Sequence, residues 1–224
     1  MTEAYYSDER VTLYHGRAEL ILPYLEPVDL TVTSPPYDNL RSYQGYEFDF
    51  ETIAKELYRV TKPGGVVVWI VGDATVDGSE TGTSFRQALY FKDACGFNLH
   101  DTMIYYKTNP TPQITKVRYV SAFEFMFIFS KGAPKTINLI QERTIYHGQV
   151  KKRFLEKKSR GDIKSWSNPG DTILDPMCGS GTVGKMARKN GCKFIGIDVC
   201  AEYLDITIKR LSQSFLFDDL VGEE

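Results

Sequence analysis

Cysteine, histidine and tryptophan are scarce in this chain. Its 224 residues hold 4 cysteines, 3 histidines and 2 tryptophans. Cys95, Cys178, Cys192 and Cys200 make no C-x-x-C pair, and the histidines are scattered. Ligands at zinc-type spacing are missing, so no metal site is expected. Isolated thiols also argue against a disulfide framework and for a reducing, cytoplasmic setting. No apolar run is long enough to span a bilayer, and Met1-Thr2-Glu3-Ala4-Tyr5 lacks the pattern of a secretion signal, so no membrane partner is expected. No internal repeat is visible.

Charge is present but unevenly placed. The formal net charge is −2, yet from Lys107 to Lys164 there are 13 Lys and Arg against 4 Asp and Glu. The rest of the chain is correspondingly acidic. A basic segment in an acidic protein suggests one face for a polyanion. A solvated surface segment is the plainer alternative.

The length suits one α/β domain with a sizeable core. Apolar runs at Val11–Gly16, Asp29–Thr33, Val66–Val71, Leu99–Tyr106, Ala122–Phe129, Thr172–Leu174 and Phe194–Asp198 read as strands. Helical spacing appears over Ala18–Leu25, Phe50–Val60, Ser84–Ala94, Thr182–Asn190 and Ala201–Leu211. Lys62-Pro63-Gly64-Gly65 reads as a helix stop, Gly72–Thr83 as loop, and residues 135–164 show little core pattern. Strands alternating with helices predict a Rossmann-like domain, a mostly parallel twisted sheet with helices on both faces.

Two distant stretches carry the chemistry. In Thr33-Ser34-Pro35-Pro36-Tyr37, two prolines end the preceding strand, because neither can donate to a ladder. Each also pushes the residue before it to extended geometry. The result is a stiff corner that can offer a hydroxyl, a carbonyl and an aromatic ring to one flat ligand, or simply a Pro-rich turn. The second stretch is Asp175-Pro176-Met177-Cys178-Gly179-Ser180-Gly181-Thr182, a strand, a glycine turn and a helix start. Glycines let backbone approach a ligand, and the helix start supplies free N–H groups. Asp198 ends the next strand, 17 positions after Gly181, where a carboxylate can accept from ribose hydroxyls. Gly184-Lys185 lacks Walker spacing, so a nucleoside-like cofactor is favoured over a triphosphate.

Ser-Pro-Pro-Tyr paired with Asp-Pro-x-x-Gly-Ser-Gly-Thr resembles the S-adenosylmethionine-dependent amino-methyltransferases of DNA. The catalytic motif precedes the cofactor motif, as in the circularly permuted β group. The resemblance implies a single methyltransferase domain over 1–224, with a basic target-recognition region at about 107–164 inserted in it. It implies that Asp175 to Thr182 and Asp198 hold S-adenosylmethionine, and that Ser34, Pro35, Pro36 and Tyr37 hold the target base. Ser34 Oγ and the Pro35 carbonyl would accept the hydrogens of the exocyclic amine, and Tyr37 would stack on the ring. Lys107, Asn109, Lys116, Arg118, Lys151, Lys152 and Arg153 are candidates for DNA contact, and Gln113 joins them. Serine before Pro-Pro-Tyr is associated in the family with the N4 amine of cytosine, and aspartate with the N6 amine of adenine. The expected activity is thus site-specific cytosine-N4 methylation of double-stranded DNA. A homodimer and a restriction endonuclease partner are left open.

The chain also departs from the family pattern. Met177 stands where Phe is common, and His15-Gly16-Arg17 where Gly-Asp is common. A Phe-Pro cofactor element is absent between Gln149 and Lys164, so the chain reads as shortened there. That predicts weak cofactor binding or a site completed by a partner chain. The alternatives are an adenine-N6 enzyme, a methyltransferase acting on RNA or on a protein glutamine amide, and a shortened DNA-binding member with weak or no activity. A dehydrogenase fingerprint matches formally at Gly179, Gly181 and Gly184, but it leaves Asp175-Pro176 and Ser-Pro-Pro-Tyr unexplained.

Overall fold

The computed structural model describes residues 3–36, 48–108, 119, 121–139, 141–146, 149–154 and 162–213. Strands β1 (Tyr6–Ser7) and β2 (Val11–His15) lead into helix α1 (Ala18–Ile21). A 3-10 turn, Leu22–Tyr24, follows, because Pro23 has no N–H with which to continue the expected α-helix. Next come β3 (Val28–Thr33), α2 (Phe50–Val60), β4 (Thr61–Val71), the short strands β5 (Thr75–Val76) and β6 (Ser79–Glu80), and α3 (Thr83–Asp93). The remaining elements are β7 (Asn98–Tyr106), β8 (Phe123–Ser130), β9 (Gln141–Tyr146), β10 (Gln149–Phe154), α4 (Asp162–Trp166), β11 (Thr172–Asp175), α5 (Thr182–Lys189), β12 (Lys193–Asp198) and α6 (Ala201–Gln213).

Eight strands form one sheet in the order β1-β2-β12-β11-β3-β4-β8-β7. The run from β2 to β4 is parallel throughout, and β1 and β8 pair antiparallel at its two sides. Alternation along β4 divides the core. Val67, Trp69 and Val71 meet Ile53, Leu57, Ala88 and Phe91 from α2 and α3. Val66 and Val68 belong to the other face, with Ile163, Trp166, Ala187, Leu204 and Leu211 from α4, α5 and α6. The doubly covered parallel sheet expected from the alternating pattern is therefore present.

From β11 the chain passes through α5 to β12 on one side, and from β3 through α2 to β4 on the other. The strand order thus reverses between β11 and β3. A crevice opens at the carboxyl ends of such a pair, and it is where ligands bind in open α/β sheets.

Three further segments differ from the sequence reading. Strand β4 begins at Thr61 and runs through the expected helix stop. Pro63 and Gly64 sit in an irregularity where the register with β3 jumps from Val28↔Thr61 to Leu30↔Val66. Gly64 takes φ +80° there, and a side chain at Gly65 would meet the Asp29 carbonyl at 2.8 Å. The expected loop at 72–83 holds the small β5–β6 hairpin. The region 135–164 contains the β9–β10 hairpin and α4, and α4 buries Ile163 and Trp166. Five residues are too few for a helical period to stand out in sequence, which is why α4 escaped the pattern. Among the described residues no helix is long and apolar enough to cross a membrane.

Candidate active site

β11 ends in Asp175 and its neighbour β3 ends in Thr33. Both side chains are buried, and Thr33 Oγ1 donates to Asp175 Oδ1 at 2.9 Å. The Met177 N–H donates to the same oxygen at 3.2 Å. Burial pushes the Asp175 carboxyl up to about 7, although these two hydrogen bonds pull it down; the nearby Asp198 charge adds to the rise.

Beyond Asp175 the backbone turns through Gly179 (φ +49°) and Gly181 (φ +78°). A Cβ at Gly181 would lie 2.5 Å from Thr207 Cγ2 of α6. Thr207 Oγ1 donates to the Gly179 carbonyl at 2.9 Å, so α6 packs directly on the turn. Arg210 Nη1 donates to Ser180 Oγ and Thr182 Oγ1, both at 3.1 Å. Thr207 and Arg210 were not singled out in sequence; only their helical spacing of three would have placed them on one face.

Asp198 closes the turn from β12. Its Oδ2 accepts from the Gly179 N–H at 2.8 Å and its Oδ1 from the Cys200 N–H at 2.9 Å. Each carboxylate oxygen keeps further lone-pair capacity for a ligand hydroxyl. Burial is the main cause that raises its pKa, opposed by these backbone bonds. Pro176 and Cys178 are buried. The Cys178 thiol is pushed far up by burial and stays neutral, which makes it a packing residue.

A cleft of about 320 Å³ joins the two stretches. Val32, Thr33 and Ser34 line it from β3 and the corner beyond, and Asp175, Met177 and Cys178 from the turn. Thr182, Val183 and Met186 of α5 and Ile163 of α4 form a further wall, while Ile70, Tyr105 and Glu124 come from β4, β7 and β8. Ser34 is exposed, Pro35 buried and Pro36 half-buried. Gly179, Ser180, Gly181 and Asp198 lie beside this cleft in the turn rather than in its lining. Tyr37 lies outside the described residues, as do Asn109, Gln113, Lys116 and Arg118. Lys107 ends its reach on Glu124, with Nζ 2.6 Å from Oε1. Lys151, Lys152 and Arg153 fall on β10.

A family model described as DNA methylase matches residues 28–162 and 160–209. The two matches meet inside the segment read as shortened. The chain is 48% identical to the orphan methyltransferase M.BamHII of Bacillus amyloliquefaciens, over 82% of this chain and 88% of the relative. It is 27% identical to the type II methyltransferase M2.DpnII of Streptococcus pneumoniae, over 94% and 93%. The M.BamHII match spans 237 positions, more than the 224 residues of the whole chain, so the relative carries residues within that span that are missing here. Among solved structures, the fold is similar to a PvuII cytosine-N4-specific DNA methyltransferase, with TM-score 0.74, 22% identity, and coverage of 93% of this chain and 89% of that one. It is also similar to M1.HpyAVI in complex with SAM, with TM-score 0.65, 26% identity, and coverage of 90% and 100%.

Proposed function

The chain belongs to the DNA methylase family of N6 and N4 amino-methyltransferases, and from that premise we propose that it methylates the N4 amine of cytosine in double-stranded DNA. That it is a DNA methyltransferase using S-adenosylmethionine follows from the family and from the cofactor complex of its structural relative. The proposal concerns the base and the residues that do the work. The observation that carries it is the 2.9 Å bond from Thr33 to Asp175, which couples the Ser-Pro-Pro corner to the glycine turn across one cleft.

The residues fit the cofactor. A buried carboxyl at Asp175, the Gly179–Gly181 turn and the remaining acceptor capacity of Asp198 suit a ligand with a cationic end and a ribose. Asp175, Gly179 and Gly181 would hold its amino-acid end; Asp198 would take the ribose hydroxyls. When bound, S-adenosylmethionine supplies a methyl group on an electrophilic sulfonium. Ser34 Oγ and the Pro35 carbonyl accept the two hydrogens of the target amine, drawing its lone pair out of the ring and fixing its direction. Tyr37 stacks on the base, which must first leave the duplex at a cost of a few kcal/mol. Serine in place of aspartate at position 34 is what favours cytosine over adenine. Residues 1–224 form one domain, with the basic stretch 107–164 as its target-recognition insertion. In that stretch Asn109, Lys116, Arg118 and the β10 cations contribute to holding DNA, while Lys107 is engaged by Glu124.

The test is transfer from labelled S-adenosylmethionine to unmodified duplex DNA, followed by nucleoside analysis. N4-methylcytosine from the wild type, lost in Ser34→Ala and in Asp175→Ala, is expected. N6-methyladenine would keep the site and overturn the choice of base. DNA binding without methylated product would make the chain a shortened binding member.

A further inference from the structure

Methyl transfer to an amine leaves one proton to be placed. As the nitrogen bonds to the methyl carbon, the methyl–sulfur bond breaks and its electron pair stays on sulfur. The nitrogen then carries the positive charge and releases one of its two hydrogens as a proton. Neither group that holds those hydrogens can keep it. The Pro35 carbonyl is too weak a base, and a serine hydroxyl that takes a proton must pass its own on. An aspartate at position 34 could keep the proton itself; Ser34 needs a second acceptor in the cleft.

Two carboxylates line the cleft, Asp175 and Glu124. Asp175 stands on the cofactor side, where its Oδ1 accepts from Thr33 and from the Met177 N–H. Burial pushes it up to about 7, so it carries a proton of its own over much of the neutral range. Glu124 stands on the opposite side, near the start of β8. It is directly across from Tyr105 of β7, and both residues line the cleft. Ser34 follows the end of β3, and β4 lies between β3 and β8, so Ser34 and Glu124 rise from strands about 10 Å apart. A serine and a glutamate side chain with one water between them span that distance. Ile70 lines the interval, and Gly72 beside Glu124 adds no side chain to it. Lys107 is two residues beyond Tyr105, so it shares that face of β7. Its N–H donates to the Ala122 carbonyl at 2.7 Å, which extends the β7–β8 ladder and fixes where the lysine starts. Its Nζ lies 2.6 Å from Glu124 Oε1. The Glu124 side chain is largely covered, as acids are where a cation pairs with them. One ammonium leaves most of the roughly four lone-pair sites of a carboxylate for a water or a proton.

We propose that Glu124 is the proton acceptor of the methyl transfer. Ser34 Oγ takes one hydrogen of the amine as it passes its own, through a bound water, to the Glu124 carboxylate. The methylated amine is left neutral and Glu124 is left as a carboxylic acid, which returns the proton to solvent once the product leaves. Lys107 is a positioning residue that holds the carboxylate toward the cleft. The pair thus serves the chemistry of the one base in the site.

The inference rests on the catalytic reading of Ser34, and single-turnover chemistry separates the two. The full-length protein, with S-adenosylmethionine and unmodified duplex DNA bound, is followed to methylated nucleoside. Glu124→Gln keeps the size of the side chain and removes the base. Its rate is expected to fall by about 100-fold or more, while its melting and its affinity for S-adenosylmethionine stay close to wild type. Glu124→Ala should fall as far and recover in added formate, a small carboxylate that fits the space left. A wild-type rate in Glu124→Gln, a loss of cofactor affinity that matches the loss of rate, or no recovery with formate would each overturn the proposal. N6-methyladenine from the wild type would overturn the choice of base and leave the acceptor standing, because that amine releases a proton too. No methylated base from the wild type would overturn the catalytic reading, and this inference with it.

Discussion

Thr33 Oγ1 donates to Asp175 Oδ1 at 2.9 Å, joining two residues 142 positions apart. They end neighbouring parallel strands at the point where the strand order reverses. The bond holds the Ser-Pro-Pro corner and the glycine turn at a fixed separation, which a transfer between two bound ligands requires. Thr33→Val removes the donor at nearly constant volume and leaves Asp175 Oδ1 with the Met177 N–H. The expected loss is about 1–3 kcal/mol in stability, read by urea unfolding.

The raised carboxyl of Asp175 makes stability depend on pH. Its value is pushed up to about 7 in the fold, while an unfolded chain releases the proton near 4. Between those limits the folded state holds a proton that the unfolded state has lost, so stability falls as pH rises and levels off above about 7. The full span is on the order of 4 kcal/mol. Melting profiles from pH 4 to 8 should show this decline in the wild type and a flatter curve in Asp175→Asn. A cationic cofactor favours the ionised form, so its affinity should climb with pH across the same window.

Gly181 tests the turn. Alanine there would adopt φ +78° and press its Cβ to 2.5 Å from Thr207 Cγ2. Gly181→Ala should cost about 2 kcal/mol or more and reduce cofactor binding in calorimetric titration. Adding Thr207→Ala removes the closest atoms and should restore part of both losses. The left-handed backbone strain of about 1–2 kcal/mol would persist.

Lys107 is expected from sequence to hold phosphate, yet its ammonium already sits 2.6 Å from Glu124 at the cleft. Both groups are partly covered, with Lys107 35% and Glu124 12% exposed. A pair of this kind contributes about 0–1 kcal/mol to stability. Lys107→Ala should therefore shift the DNA salt slope by well under 1. The rate of methyl transfer should fall, because Glu124 loses the partner that holds it over the cleft.

Much of this arrangement is legible in sequence because it is local. Continuous apolar runs revealed β3, β4 and β12, and Pro35-Pro36 and Gly179–Gly181 marked where two strands end. What the sequence could not reveal depends on register and on distant packing. Nothing near Thr207 or Arg210 indicates that α6 would tie down the turn, and Thr33 reads as an ordinary strand residue until β11 is placed beside it. Residues 135–164 show little core pattern in sequence, because the pairing of β9 with β10 is a property of two strands and not of one.

The shortened segment after Gln149 predicts weak cofactor binding or a site completed by a partner chain. Yet α4 fills part of that position: Ile163 is 3% exposed within the core and also lines the cleft, and the Trp166 and His100 rings meet nearly perpendicular, 5.4 Å between centroids. A five-residue helix relies on few contacts, so each should matter more than in a longer element. Ile163→Ala should cost about 2–5 kcal/mol in stability through the cavity it leaves. It should also weaken S-adenosylmethionine binding by roughly tenfold, about 1.4 kcal/mol, while Ile163→Val keeps most of both. If α4 completes the site within one chain, wild-type cofactor affinity will not change with protein concentration in a titration series. Affinity that rises on self-association, with Ile163→Ala near neutral for binding, would show that the missing wall comes from a second chain.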